Sequence, residues 1–219
     1  MALPTFLELV NDVLVRIREP EVTTVNENTL SKLIGKLVND AKRQVEDAYT
    51  WNALSNTTTA TTSDGIFNYI LTGSNHRFKI IDVFNVNSRS FMKNIDKHTM
   101  TMNLLGNETV QKGIPMFYNV NGISSNGDTA VDIYPVPDGV YQIYFNFFDP
   151  QPNLVNDSDV LIVPSEPVTH LAYAKAVVER GEDGGMQSSE AYALYKQVLA
   201  DYVAIEQGRC PEDECWGVA

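Results

Sequence analysis

Histidine, cysteine and positive charge are scarce in this chain of 219 residues. The three histidines, His76, His98 and His170, are far apart, and none sits in an HExxH frame. The two cysteines, Cys210 and Cys215, both fall in the final stretch CPEDECWGVA, with no histidine near them. A structural zinc site needs about four ligands, so two free thiols on a tail are expected. A small disulfide loop and a mixed-ligand metal site are the alternatives. No GxSxG nucleophile turn or Walker loop is present, and Gly184-Gly185 lacks the Lys-Ser/Thr ending that would hold a phosphate. No run approaches the roughly 18 apolar residues of a membrane span. The opening MALPTFLELVNDVLVRIREPE has no basic leader and carries Glu8 and Asp12, so no signal peptide and no membrane association are expected.

Basic charge is outweighed by 28 acids against 16 bases, a net charge of −12, and no Lys/Arg cluster is longer than Lys42-Arg43. Phosphate-backbone binders show a basic footprint. This composition argues against one, although duplex DNA passes such a surface without adhering. Asp157 and Asp159 offer oxygens but not the spacing of an EF-hand loop, and they read as a polar loop. Asp82 and Glu179 are single acids. No catalytic, cofactor-binding or metal-ligating set is expected, and no cofactor.

Two amphipathic segments open the chain. Thr5-x-x-Glu8 fits a capping box. Phe6, Leu9, Val10, Val13, Leu14 and Ile17 follow at helical spacing, up to a stop near Pro20. A second helix starts near Asn28-Thr29. Its apolar stripe is Leu30, Leu33, Ile34, Leu37, Val38, Ala41, Val45 and Ala48, while Asp40, Lys42, Arg43, Glu46 and Asp47 occupy the other face. Trp51 and Leu54 close this core.

From residue 56 the pattern turns to strands. NTTTATT, the turn Ser63-Asp64-Gly65 and a returning strand IFNYIL come first, then Arg77–Val86. Asp96–Leu105 reads as a short helix closed by Gly106. Met116, Tyr118 and Val120 alternate with Phe117 and Asn119, Asn126-Gly127 turns, and Val131 and Ile133 return. The turn Pro135-Val136-Pro137-Asp138-Gly139 leads to a last strand, with Tyr141, Ile143, Phe145 and Phe147 on one face. One antiparallel sheet with a single wet side is expected.

Helical spacing resumes after Pro152. Pro164-Ser165-Glu166-Pro167 reads as a helix start capped by Ser165. The alanine-rich HLAYAKAVVERG ends at Gly181, and a last helix carries Ala191, Leu194, Tyr195, Val198, Leu199, Tyr202 and Ile205 before Gly208 stops it. Two helix pairs flanking a β region predict an α+β fold, with a four-helix bundle of N- and C-terminal pairs and an inserted antiparallel β domain. The expected domains are 1–55 plus 157–208, the insertion 56–156, and a C-terminal tail 209–219.

Gly113-x-Pro115-x-x-Tyr118, then Tyr134-Pro135-x-Pro137-Asp138 with Gly139 and an aromatic strand, resembles a pattern in connector proteins of tailed phages. Asp157-x-Asp159, Pro164 and the alanine-rich helix ending in Gly181-Glu182 extend it. The layout over residues 5–207 resembles the head-to-tail adaptors of short-tailed phages, the tail tubular protein A family. The motifs themselves cover 113–182 and are turns and caps. The resemblance implies a virion structural protein in the tail or neck, assembled in the host cytoplasm, and not an enzyme. It also implies a homo-oligomeric ring of twelve copies that meets a portal protein, a tail nozzle protein and tail fibres and passes duplex DNA. Cys210, Cys215 and Trp216 are partner-contact candidates, because an exposed Trp is a common interface anchor. A carbohydrate-binding module of a receptor-binding complex is the alternative, carried by ten Tyr and nine Phe. A metal-dependent hydrolase built on the scattered acids and histidines is a third.

Overall fold

Thr5 and Glu8 form the reciprocal pair that their spacing predicts. The Thr5 N–H donates to Glu8 Oε2 at 2.7 Å, and the Glu8 N–H donates to Thr5 Oγ1 at 3.3 Å. They open the first helix of a computed structural model that describes residues 3–72, 77–106, 109–181 and 186–209. The chain forms two compact units, one from residues before 55 and after 150, the other from residues 55–150. The fold is mixed α/β, with five helices and two sheets among the described residues.

In the first unit, α1 (Phe6–Arg16) buries Phe6, Leu9, Val10, Val13 and Leu14. It stops short of the expected Pro20. The Arg18 N–H donates to Val15 O and the Glu19 N–H to Leu14 O, a Schellman closure with Arg18 at φ 62°. The left-handed turn satisfies the last carbonyls before proline is reached. α2 (Thr29–Ala48) is capped by Asn28, whose Oδ1 accepts from the Ser31 N–H at 2.8 Å. Gly35 permits close approach here, since a Cβ would lie 2.9 Å from Val25 Cγ1 and 3.1 Å from Phe6 Cζ.

Lys42 and Glu46 correct the expected outer face of α2. Both side chains are fully buried and paired at 3.1 Å. Lys42 Nζ also donates to the carbonyls of Gln151 and Pro152. Asn39, one turn earlier, donates Nδ2 to Leu154 O at 3.0 Å and accepts the Leu154 N–H at 2.8 Å. The buried stripe therefore runs through Asn39, Lys42 and Glu46, and Leu33 and Ala48 are exposed. Burying polar groups is expensive unless each is hydrogen-bonded, and here they satisfy the backbone of the extended segment 151–154.

α4 (Ser165–Arg180) packs on α1 and α2, and α5 (Met186–Arg209) packs on α4. Buried Ala172, Ala174 and Ala176 allow the close approach on α4. Ser165 does not cap α4: the N-cap is Pro164, without a side-chain hydrogen bond, and Ser165 begins the helix. Gly208 does not stop α5, which runs through it to Arg209.

The second unit holds two sheets, which corrects the single sheet expected. The first has the order β1 (Ser55–Thr61), β8 (Gln142–Phe148), β3 (Lys79–Asn85), β4 (Ser90–Phe91). The second has the order β2 (Asn68–Leu71), β7 (Thr129–Tyr134), β6 (Phe117–Ile123), β5 (Lys93–Asn94). Pairing is antiparallel except for β5 with β6. β2 does not return along β1, because the Ser63–Gly65 turn carries the chain into the other sheet. Residues 135–139 likewise cross from β7 to β8. Val83, Ile143 and Phe145 of one sheet share a core with Leu71, Val131 and Ile133 of the other. α3 (Lys97–Leu105) packs on β6 and β7 and covers a smaller cluster of Met100, Leu104, Tyr134 and Val136. Its start is fixed by Asp96, which accepts from the Thr99 N–H at 2.9 Å and the Thr99 hydroxyl at 2.6 Å. Thr99, three residues on, supplies both donors to this cap.

Replacing Lys42 by Met leaves Glu46 buried beside two carbonyls that have lost a donor. Urea unfolding should show a loss of about 3–5 kcal/mol, and the double variant Lys42→Met/Glu46→Leu should lose less. A single variant within about 0.5 kcal/mol of the parent would show that the pair bears no such weight.

Candidate functional site

The residues singled out in the sequence, together with two surfaces of the helical unit, fall into three groups. Gly113, Pro115, Tyr134, Pro135, Pro137, Asp138 and Gly139 come together as one set of backbone crossings. The Gly113 N–H donates to Val136 O at 2.9 Å, and the Val136 N–H donates to Gln111 O at 3.0 Å. Tyr134 OH donates to Gln111 Oε1 at 3.0 Å, and Pro115 O accepts from Asn85 Nδ2 at 3.1 Å. Pro137 O accepts the Gly65 N–H at 2.9 Å, and Gly139 O accepts the Thr62 hydroxyl at 2.9 Å. Asp138 accepts from Tyr141 OH. The Tyr134-Pro135 peptide is cis. Backbone and side-chain bonds together tie these crossings.

In the second group, Asp157 and Asp159 serve the backbone, and Asp82 serves a side chain. Asp159 accepts from the Val155 and Asn156 N–H groups at 2.7 and 2.8 Å, and these bonds hold its carboxyl below the usual range. Asp157 accepts the Val25 N–H at 3.0 Å, and Asp82 accepts from Asn146 Nδ2. Among the described residues, no three His, Cys, Asp or Glu side chains are placed to share a metal ion. No described helix is long and apolar enough to cross a membrane. His98 is exposed. Cys210, Cys215, Trp216, the tail from 210, Gly184-Gly185 and His76 lie outside the described residues. Gly181 closes α4 at φ 64°, its N–H donating to Val177 O and Val178 O.

Two surfaces of the helical unit form the third group. The first is α5 itself. Its expected apolar stripe is only partly buried: Ala191 and Tyr195 are covered, but Leu194 and Ile205 are 47% and 57% exposed. Tyr192, also exposed, lies on another face of the helix, toward α4. α5 is held instead by polar contacts at its far end. Glu206 accepts the Asn52 N–H at 2.9 Å, and Tyr202 OH donates to Glu166 at 2.9 Å. A groove of about 300 Å³ between α2, α4 and α5 is lined by Leu171, Ala174, Val178 and Tyr192.

The second surface is a cleft of about 360 Å³ where α1 and α4 end, lined by Arg16, Arg18, Tyr173, Arg180 and Gln187 among others. Arg180 donates to Ile17 O at 2.9 Å and pairs with Glu19 at 3.0 Å. Arg16 pairs with Asp12 at 3.4 Å and lies 3.3 Å from Nδ1 of His170. Arg18 occupies the left-handed position usually given to glycine, at a conformational penalty of roughly 1 kcal/mol. Sequence reading missed this cleft, because its cations come from two helix ends more than a hundred residues apart. The signal available was a basic residue at the end of each helix.

A family model described as SU10 adaptor protein matches residues 4–211, a span that includes both units. No curated protein matches the chain significantly.

Burial, and then the charge of Arg16, push the pKa of His170 below its ordinary value, against the opposing pull of Glu166 and Asp12. The unfolded chain therefore binds this proton more readily than the folded one. Stability falls as pH drops below about 6.5 toward the folded value. The urea midpoint should fall between about pH 7.5 and about pH 5.5, and fall less in His170→Gln. Equal declines in the two proteins would remove His170 as the cause.

Proposed function

The chain belongs to the SU10 adaptor protein family, and from that premise we propose that it is a virion structural protein joining head to tail. Copies stand side by side in a ring, twelve by the resemblance noted in the sequence, below a portal protein and above a tail nozzle. Tail fibres dock on the same ring, and duplex DNA passes through its channel in the neck of the particle. The work is mechanical, and no chemical step belongs to it.

The family match across residues 4–211 is the observation that carries this reading, because it takes in the helical unit and the 55–150 unit together. Two further features fit it. The exposed apolar residues of α5 and the groove beside it give a subunit something to bind with. The net charge of −12 keeps DNA from adhering to a wall made of such subunits, over about one Debye length. In this reading α1, α2, α4 and α5 act as a four-helix bundle, the ring-forming body, and residues 55–150, rather than the 56–156 expected from the sequence, are an inserted docking domain.

Sizing the purified chain alone and with purified portal rings tests the proposal. The expected result is a stable complex in which many copies load onto one portal, whatever the state of the chain alone. Leu194→Asp with Ile205→Asp should lower that loading at least tenfold while leaving the unfolding midpoint close to the parent's, since both side chains face solvent. A chain that never loads onto portals and instead binds glycans would overturn the adaptor reading in favour of a carbohydrate-binding module.

A further inference from the structure

The outer side of the β1-β8-β3-β4 sheet carries aromatic side chains that no core uses. Residues directly opposite each other on neighbouring strands share a face, so the register sets side chains in rows across the sheet. Thr59, Tyr144, Phe84 and Phe91 form one row, and Thr57, Asn146 and Asp82 form the next. Val83, Ile143 and Phe145, at the alternate positions, point into the core, so both rows point away from it. Tyr144 is 38% and Phe91 65% exposed, and Thr57 and Thr59 are exposed beside them. The rings of Phe84 and Phe91 meet edge to face, 5.1 Å between centroids. The polar row is a chain of hydrogen bonds. The Thr57 hydroxyl donates to Asn146 Oδ1, and Asn146 Nδ2 donates to Asp82 Oδ1, each at 2.6 Å. These bonds orient the row in advance and leave Asp82 a second oxygen with which to accept. Among the described residues, no hydrogen bond engages the Tyr144 hydroxyl.

The size and charge of this face select its occupant. Four strands about 4.8 Å apart, with seven residues of about 3.3 Å each along the longer ones, make a face of roughly 14 by 23 Å, or about 300 Å². A stable protein partner needs about 800 Å² on each side. A single strand of nucleic acid stacks on aromatic rings but needs a positively charged groove. Along these rows Lys79 and Asp82 bring one charge of each sign, on a chain of net charge −12. A sugar ring fits both rows at once. Its C–H face is apolar and lies on an aromatic ring, and its hydroxyls donate to a carboxylate and accept from a phenol or a threonine. We propose that the Tyr144-Phe84-Phe91 row and the Thr57-Asn146-Asp82 row bind a neutral oligosaccharide, of the kind a cell-surface polysaccharide presents. This adds a glycan contact to the adaptor reading and does not replace it.

The full chain is titrated by calorimetry with neutral hexasaccharides of glucose, of mannose and of N-acetylglucosamine, and with hexathymidylate as the rival probe. At least one hexasaccharide should bind, with an affinity that hardly changes as salt is raised, because no charge pair is formed. Tyr144→Ala and Phe91→Ala should each weaken it roughly fivefold. Leu105→Ala, which removes an equally exposed apolar residue from α3, should bind as the parent does. Phe91→Ala should keep the parent's unfolding midpoint, since its ring is mostly in solvent. Failure of all three sugars to bind, or binding that both aromatic variants leave unchanged, would overturn the proposal. So would Tyr144-dependent binding of hexathymidylate without binding of any sugar. Portal loading is read in neither arm, so this inference and the adaptor reading fail separately.

Discussion

The helical unit depends on how α2 grips the segment that follows residue 150. Chain that departs after Leu54 and resumes at Gln151 must rejoin the same core. Lys42, Glu46 and Asn39 make that junction specific. A purely apolar stripe would accept the segment in any register, because burial is non-directional. Lys42 binding the carbonyls of Gln151 and Pro152, and Asn39 binding both backbone groups of Leu154, fix one register. The pair of fully buried charges is tolerable only because each has partners within hydrogen-bonding distance. Once Leu154 is fixed, Asp157 reaches the Val25 amide and Asp159 closes its own turn. The Phe6 N–H then donates to Asp159 O and the Leu161 N–H to Pro4 O. The start of α1 and the approach to α4 are therefore set by one clasp on α2.

What the sequence made legible was local. Capping pairs reach three residues and helix stripes reach a few turns, so Thr5/Glu8, the start of α2 at Asn28 and the span of α3 could be read directly. Strand existence was legible for the same reason, since alternation in β6, β7 and β8 is a property of each segment alone. Strand partners were not. β1 and β2 are separated by one short turn yet sit in different sheets, and the choice is made by Val131, Phe145 and their neighbours far along the chain. Lys42 was misread because hydropathy assigns a lysine to water, and only the carbonyls at 151 and 152 reverse that. α5 was misread in the other direction: its apolar residues recur at helical spacing, but α4 covers only one side of them.

The turn motifs that carry the family resemblance have a physical role in the 55–150 unit. Residues 111–115 run beside 134–139, and 62–65 join them through Pro137 and Gly139. Here the chain passes between its two sheets twice. Proline and glycine concentrate at such crossings because each fixes or frees a backbone angle that a strand would not adopt. A pattern made of these residues reports where a chain changes sheet, which is why it marks a fold and carries no chemistry.

An acidic subunit that works in company meets an electrostatic constraint. Each copy brings a net charge of −12, and neighbours in a ring would repel over the roughly 8 Å within which charges are felt at physiological salt. Repulsion of that range is overcome by contacts that are short-ranged and many, or by local reversals of sign. The helical unit carries two surfaces to consider: the exposed apolar residues of α5, and the arginines gathered where α1 and α4 end. Both surfaces are built from helix features that an isolated domain does not need, an uncovered stripe in one case and an arginine in a glycine position in the other. A chain optimised only for its own stability would bury the first and replace the second. Both features fit the proposal that this chain works as one subunit among many.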